Sequence, residues 1–231
     1  MKQMYLNGEY LANNPTYDIE DSTWKTKEII DVLLRNNIHP KKIIDVGCGV
    51  GAILNELQKK YNEGDTKLFG FDISPDAIAI AKNKYGNNIS FVCADFILSE
   101  TEYYDLLLCI DVLEHVENYL DFLKALKTRA EYKLFHIPLD MTAHMVIRNS
   151  PIIFSRKKYG HLHYYSKDTA ILTLLDCGYQ ILDWHYTKTM FFNDNKTSTK
   201  LLNILRKITY NISHDLSVRI LGGHSLIVLT K

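Results

Sequence analysis

Lys42-Ile43-Ile44-Asp45-Val46-Gly47-Cys48-Gly49-Val50-Gly51 is the stretch that decides how this 231-residue chain reads. Its first half is a short apolar run, the pattern of a buried strand. Its second half is a glycine turn with the spacing G-x-G-x-G. Glycines there let the backbone approach a ligand closely. The segment that follows, Ala52 to Tyr61, places Ile53, Leu54 and Leu57 at helical spacing, and the first turn of a helix offers N–H groups that its own carbonyls leave free. The turn lacks the G-x-G-x-x-G spacing of dinucleotide sites. Asp45, just before the glycines, is a poor neighbour for a pyrophosphate and a good one for a zwitterionic tail that carries an ammonium group.

Downstream the same rhythm repeats. Leu68 to Ile73 is a second strand, and Ser74-Pro75 opens a helix with proline at its first position. Ile89 to Cys93, Asp105 to Ile110 and Tyr132 to Ile137 are further strands. Val116 to Arg129 reads as a helix, and Asp168 to Cys177 as another that Gly178 closes. Tyr179 to Trp184 and Ser225 to Thr230 are the last strands. Near-continuous apolar strands alternating with helices predict an α/β, Rossmann-like, doubly wound parallel sheet covered on both faces. The reading takes residues 1–231 as a single domain with three additions. These are an N-terminal helical or lid segment (1–40, its helix at about Asp21 to Asn36), a long loop after Pro138, and a helical insertion at about 187–223. In the insertion Leu201, Ile204, Leu205, Ile208 and Ile212 recur at helical spacing among Lys200, Arg206 and Lys207. That stripe suits packing on the domain, a lid, a dimer contact or a membrane-surface helix.

In doubly wound sheets ligands lie at the carboxyl ends of the strands, where strand order reverses. Three acids follow three strands there. Asp45 precedes the glycine turn; Asp72, with Ile73, ends the second strand and suits ribose hydroxyls; Asp95, with Phe96, follows the third and suits an adenine amino group and ring. Taken singly, a strand-end Asp is commonly a helix N-cap, and a glycine turn is often only a tight connection. Their order and spacing carry more weight than any one of them.

On these residues the chain resembles the class I S-adenosylmethionine-dependent methyltransferases. Ile44 to Gly51 is similar to their first motif, Gly70 to Ser74 to their ribose-binding motif and Ala94-Asp95-Phe96 to their adenine-side motif. Tyr104 to Glu114 resembles their fourth strand and its substrate-facing end. Gly160 to Ser166, followed by Leu172 to Tyr179, is similar to a late segment of the small-molecule subgroup. The resemblance covers roughly residues 40 to 185 and the final strand. It implies a seven-stranded sheet of order 3-2-1-4-5-7-6 with the seventh strand antiparallel. It also implies S-adenosyl-L-methionine as cofactor and S-adenosyl-L-homocysteine as product. Asp45, Gly47, Cys48, Gly49, Asp72, Ile73, Asp95, Phe96 and Ile110 would then line the cofactor site.

Methyl transfer asks the protein to align the acceptor with an already activated methyl group and to exclude water. A base is needed where the acceptor holds a proton. Imidazole serves near neutral pH, and the expected catalytic residues are His115 and His161. His136, His144 and His163 are weaker candidates, and His136 reads as a hydrogen-bonded core residue. Asp111, Glu114 and His115 share a helical face and with His161 form a mixed O/N set suited to a divalent metal. This D-x-x-E-H pattern resembles the E-x-x-E-H of metal-assisted small-RNA 2′-O-methyltransferases, departing at its first position. Tyr17, Trp24 and Lys25 suit either lid contacts or plain helix packing.

Composition narrows the class further. With 27 Lys+Arg against 27 Asp+Glu the formal net charge is zero, which argues against bulk nucleic acid as the main partner. Arg156-Lys157-Lys158 is a local exception, either an anion contact or a solvated loop. The start, MKQMYLNGEYLANN, lacks a signal-peptide core, and no run reaches the length of a transmembrane segment. Cys48, Cys93, Cys109 and Cys177 form no C-x-x-C pair and read as reduced thiols of a cytoplasmic protein. The function expected is methylation of an O or N on a small molecule, a quinone or phenol precursor or a sugar-type metabolite. The alternatives are RNA 2′-O-methylation and non-catalytic cofactor binding.

Overall fold

The computed structural model describes residues 2–17, 19–61, 66–188 and 197–231. Its first third runs α1 (Lys2–Leu6), α2 (Glu9–Asn13), α3 (Ser22–Arg35), β1 (Lys42–Val46), α4 (Ala52–Tyr61), β2 (Lys67–Asp72) and α5 (Pro75–Tyr85). Next come β3 (Ser90–Cys93), α6 (Phe96–Ser99), β4 (Tyr104–Ile110), a 3-10 turn at Leu113–His115, α7 (Tyr119–Lys127) and β5 (Ala130–Pro138). The last part holds α8 (Ala143–Arg148), α9 (Ser150–Lys158), α10 (Lys167–Asp176), β6 (Ile181–Lys188), α11 (Thr197–Ile212), α12 (His214–Leu221) and β7 (His224–Thr230).

The seven strands form one sheet of order β3-β2-β1-β4-β5-β7-β6. β1 to β5 run parallel to one another, and β7 runs antiparallel between β5 and β6. That is the order the resemblance implied. The central strands β1, β4 and β7 are buried at nearly every position because both faces of the sheet are covered there. Side chains alternate between two cores, as the pleat requires. Ile43, Leu106, Leu108 and Ile110 pack with Ile29 and Leu33 of α3, Leu54 and Leu57 of α4 and Ile78 of α5. Ile44, Leu107, Cys109 and Phe135 pack on the other side with Leu123 and Leu126 of α7, Leu174 of α10 and Val218 of α12.

Local chemistry sets the helix starts. Ser74 caps α5, its Oγ accepting from the Ala77 N–H at 3.3 Å with Pro75 next in sequence. Ser166 and Thr169 close a capping box on α10. All four cysteines are free thiols. No helix among the described residues is long and apolar enough to cross a membrane.

Four expectations change. The loop after Pro138 is helical: Thr142 caps α8, accepting from the Met145 N–H, and Pro151 sits in the first turn of α9. The helix read as Val116 to Arg129 is the shorter α7, Tyr119–Lys127, which follows a separate 3-10 turn at Leu113–His115. β6 begins and ends later than Tyr179 to Trp184, because its ladder with β7 carries it to Lys188, opposite His224. In α11 the apolar stripe does not pack on the domain: Ile204, Leu205, Ile208 and Ile212 are exposed while Arg206 is buried. Arg206 is held inward by the Leu221 carbonyl at 2.8 Å and the Asn203 carboxamide oxygen at 3.1 Å. Residues 189–196 of the insertion, and the side chains of Lys200 and Leu201, lie outside the described residues.

Candidate active site

The carboxyl ends of β1, β2, β3 and β4 open into a cavity of about 820 Å³, within the usual range of a small-molecule site. At its floor the turn after β1 brings backbone to the surface. Gly47 has φ 81°, and a Cβ there would stand 2.5 Å from a Val112 methyl; only glycine fits. Gly51 is equally constrained, with φ 76° and a Cβ position 2.5 Å from the Phe91 ring.

Asp72, at the tip of β2, accepts from the Gly49 N–H on one oxygen and the Ser74 N–H on the other, both at 2.8 Å. Each oxygen keeps a lone pair for an incoming hydroxyl. Burial raises this carboxyl's pKa despite those backbone bonds. Asp95 does cap a helix, α6, accepting from the Ile97 N–H at 3.2 Å, and it also lines the cavity beside Phe96. Gly47, Cys48, Gly49, Asp72, Ile73, Asp95, Phe96 and Ile110 all line the cavity. Asp45 does not. It lies buried behind the turn, where desolvation first and the Asp72 charge second push its carboxyl up to about 7.

The other end of the cavity gathers acids and imidazoles. Glu114 is buried, and its Oε2 has no hydrogen-bond partner among the described residues. Burial, then the Asp111 charge, raises its carboxyl well above the usual range. His115 has an unpartnered Nδ1, and burial followed by the His161 charge lowers its pKa to about 4. The two imidazoles stand edge to face, 5.0 Å between centroids. His161 Nδ1 is bonded to Asp140 Oδ2 at 2.9 Å. The ligating atoms of Glu114, His115 and His161 lie within 4.8 Å of one another.

Asp111 belongs elsewhere. Its φ is 54°, a left-handed conformation that costs a non-glycine residue energy. It is held by Lys25 Nζ at 2.9 Å and His136 Nδ1 at 2.6 Å. Burial works to raise its carboxyl, but those two partners outweigh it and hold it well below the usual carboxylate range. His136 in turn meets Thr187 Oγ1 through Nε2 at 2.8 Å. The sequence-based grouping of Asp111 with Glu114, His115 and His161 is thus corrected, because Lys25 on α3 claims that carboxylate. His163 bonds the Val116 carbonyl, and His144 stands beside Arg148 at the surface of α8.

The N-terminal segment roofs the cavity. Tyr5, Tyr10 and Tyr17 line it together with Trp24 and Lys25. Tyr5 stacks on Tyr10 at 4.8 Å, and Tyr10 meets Tyr17 at 5.3 Å. Tyr5, Tyr10 and Asp140 escaped the sequence reading. No periodicity marks the tyrosines, and Asp140 becomes a partner of His161 only through the path of α8 and α9.

A model of the methyltransferase domain matches residues 22–183. The ubiquinone biosynthesis O-methyltransferase of Glaesserella parasuis is 33% identical over 93 residues, 36% of this chain and 38% of its own length. The mitochondrial enzyme of that name from Schizosaccharomyces pombe is 33% identical over 104 residues, 42% of this chain and 36% of its own. The matches thus span little more than a third of those relatives. Among solved structures, magnesium protoporphyrin IX methyltransferase from Synechocystis with bound S-adenosylhomocysteine aligns with TM-score 0.61 at 19% identity, covering 90% of this chain and 82% of its own. A Haloferax volcanii methyltransferase solved with the Trm112 activator aligns with TM-score 0.66 at 13% identity, covering 97% and 94%. Both share the fold. With the domain model covering the strands, the glycine turn and the acids of the cavity, the chain belongs to the class I S-adenosylmethionine-dependent methyltransferase family.

Proposed function

We propose that this protein, acting as a single domain in the cytoplasm, transfers a methyl group from S-adenosyl-L-methionine to an oxygen or nitrogen of a small-molecule acceptor. A quinone or phenol precursor, or a sugar-type metabolite, is the acceptor class to test first; the likeness to ubiquinone biosynthesis O-methyltransferases favours the former. One observation carries the reading: the ribose-side and adenine-side acids and the His115–His161 pair share one cavity. The nucleoside lies across β1 to β3, its sugar hydroxyls on Asp72 and its ring beside Asp95 and Phe96. Its amino-acid tail lies at the turn in front of Asp45. The sulfonium then faces the imidazoles.

His161 is the better base of the two. Its Nδ1 is engaged by Asp140, a bond that holds the tautomer with Nε2 as acceptor. His115, with its basicity drawn down, serves as a neutral polar wall. The tyrosine roof excludes water. Calorimetric titration with S-adenosylhomocysteine and with NAD tests the cofactor half: binding of the first and not the second is expected, and the reverse overturns it. Labelled methyl donor with a metabolite extract then reveals the acceptor.

One observation favours a second reading, a metal-assisted one. Glu114, His115 and His161 converge, and Glu114 Oε2 and His115 Nδ1 are buried without partners. That donor set fits a divalent cation, which would supply polarisation of an acceptor hydroxyl. In that case Glu114 and the imidazoles hold the ion, and Asp140 orients His161. Activity that survives chelation and is unchanged by added Mg²⁺, Mn²⁺ or Zn²⁺ leaves the base reading alone standing.

A further inference from the structure

A second cavity, of about 640 Å³, lies on the outer side of α8 and α9. Three cationic side chains, Arg148, Lys157 and Lys158, line it with Asn149, and no acid does. None of the three pairs with a carboxylate among the described residues: Arg148 contacts His144 at 3.3 Å, and the Lys158 ammonium lies over the Phe154 and Tyr159 rings at 5.6 and 5.0 Å. The surrounding sequence is one-sided as well. Between Asp140 and Asp168 there is no Asp or Glu, although the whole chain is electrically balanced.

The same two helices expose apolar side chains. Ile147 is 83% exposed and Val146 57%; Ile153 and Phe154, also exposed, line the cationic cavity. Large aliphatic side chains beside unpaired cations form the surface of a helix lying in a lipid interface. A free phosphate needs only the cations; the exposed isoleucine and valine have no use for it. A basic, apolar face is complementary to an anionic bilayer, where lysine and arginine meet the head groups and the apolar side chains enter the acyl boundary. Phe154 lines both cavities, so this face adjoins the larger one.

We propose that the α8–α9 face docks on membranes containing anionic phospholipid, seating a phosphate head group among Arg148, Lys157 and Lys158 while Val146 and Ile147 enter the interface. The proposal stands apart from the methyl-transfer reading, since its readout is vesicle binding. The full chain is sedimented with vesicles of phosphatidylcholine alone and with vesicles carrying one part in three phosphatidylglycerol. Binding is expected to the second only and to weaken as salt rises. Each cation removed should cost about fivefold in partitioning, so K157E/K158E should lose about 25-fold or more. Ile147→Asp should also weaken binding, and neither variant should change S-adenosylhomocysteine affinity. The proposal is overturned by no binding to either vesicle, equal binding to both, binding indifferent to the variants, or full displacement by millimolar inorganic phosphate, which marks a free-anion site. A dimer that Ile147→Asp converts to monomer also overturns it, by assigning the face to a second copy of the chain.

Discussion

Asp72 holds the glycine turn, its carboxylate accepting from Gly49 and Ser74, and in the proposed reading its remaining lone pairs take the ribose hydroxyls. Asp72→Asn keeps the size and loses one acceptor oxygen. Hydrogen bonds to charged groups are worth about 1.5–3 kcal/mol, so S-adenosylhomocysteine affinity should fall at least about tenfold; an unchanged Kd by calorimetry misplaces the ribose. At the other end, His161→Gln removes the proposed base and should lower kcat about 10²–10⁴-fold. Asp140→Asn should lower it less, with cofactor binding intact in both; equal kcat in wild type and His161→Gln removes the base role. Asp45 makes stability depend on pH. Its folded pKa of about 7 stands above the unfolded value, roughly 3.9 for a free aspartate, so the folded state holds the extra proton. Its contribution is full below the unfolded value and is lost as pH rises through about 7. The melting temperature of the cofactor-free protein should therefore fall from about pH 4 to about pH 7 and level off above that, and Asp45→Asn should flatten that slope. An identical slope in the variant assigns the effect elsewhere.

Among the elements, α3 is the one that ties the N-terminal segment to the sheet. Arg35 meets Asp183 at 2.5 Å and Glu28 meets His185 at 2.7 Å, both on β6. Lys25 reaches the strained Asp111 beyond β4. Cutting one partner from a fully buried ion pair costs about 3–5 kcal/mol. Lys25→Met should cost less, about 1–2 kcal/mol in urea unfolding, since Asp111 keeps His136 and is partly open to solvent. No change in unfolding midpoint shows that His136 alone holds the turn. This junction was half legible in the sequence. Trp24 and Lys25 stand out on an amphipathic helix, but the destination of a lysine is set by which helix lies over which strand end.

For the whole molecule, the cavity joins elements from both ends of the chain: Tyr5 and Tyr10 from the start, Arg206 and Ser225 from the last segments. A ligand that bridges them should stabilise the fold by mass action. At a hundredfold excess over Kd the gain is about 2.7 kcal/mol, which for a domain of this size raises Tm by roughly 5–10 °C. S-adenosylhomocysteine should give that shift in a thermal melt and NAD none. A chain that melts at the same temperature with either has no such cavity.

Local chemistry determined much of this protein. Apolar runs named the strands, Ser74-Pro75 named the start of α5, and G-x-G-x-G with Asp72 and Asp95 named the floor of the cavity, because a strand, a turn and a helix N-terminus are each set within about ten residues of chain. Only the tertiary structure decided the rest. Asp111 pairs with Lys25 and His136 rather than with Glu114, Asp140 orients His161, two short helices fill the expected loop, and the α11 stripe faces outward while Arg206 turns in. Each of these joins groups far apart in sequence, and such partners are chosen by the packing of whole layers, which no local pattern encodes.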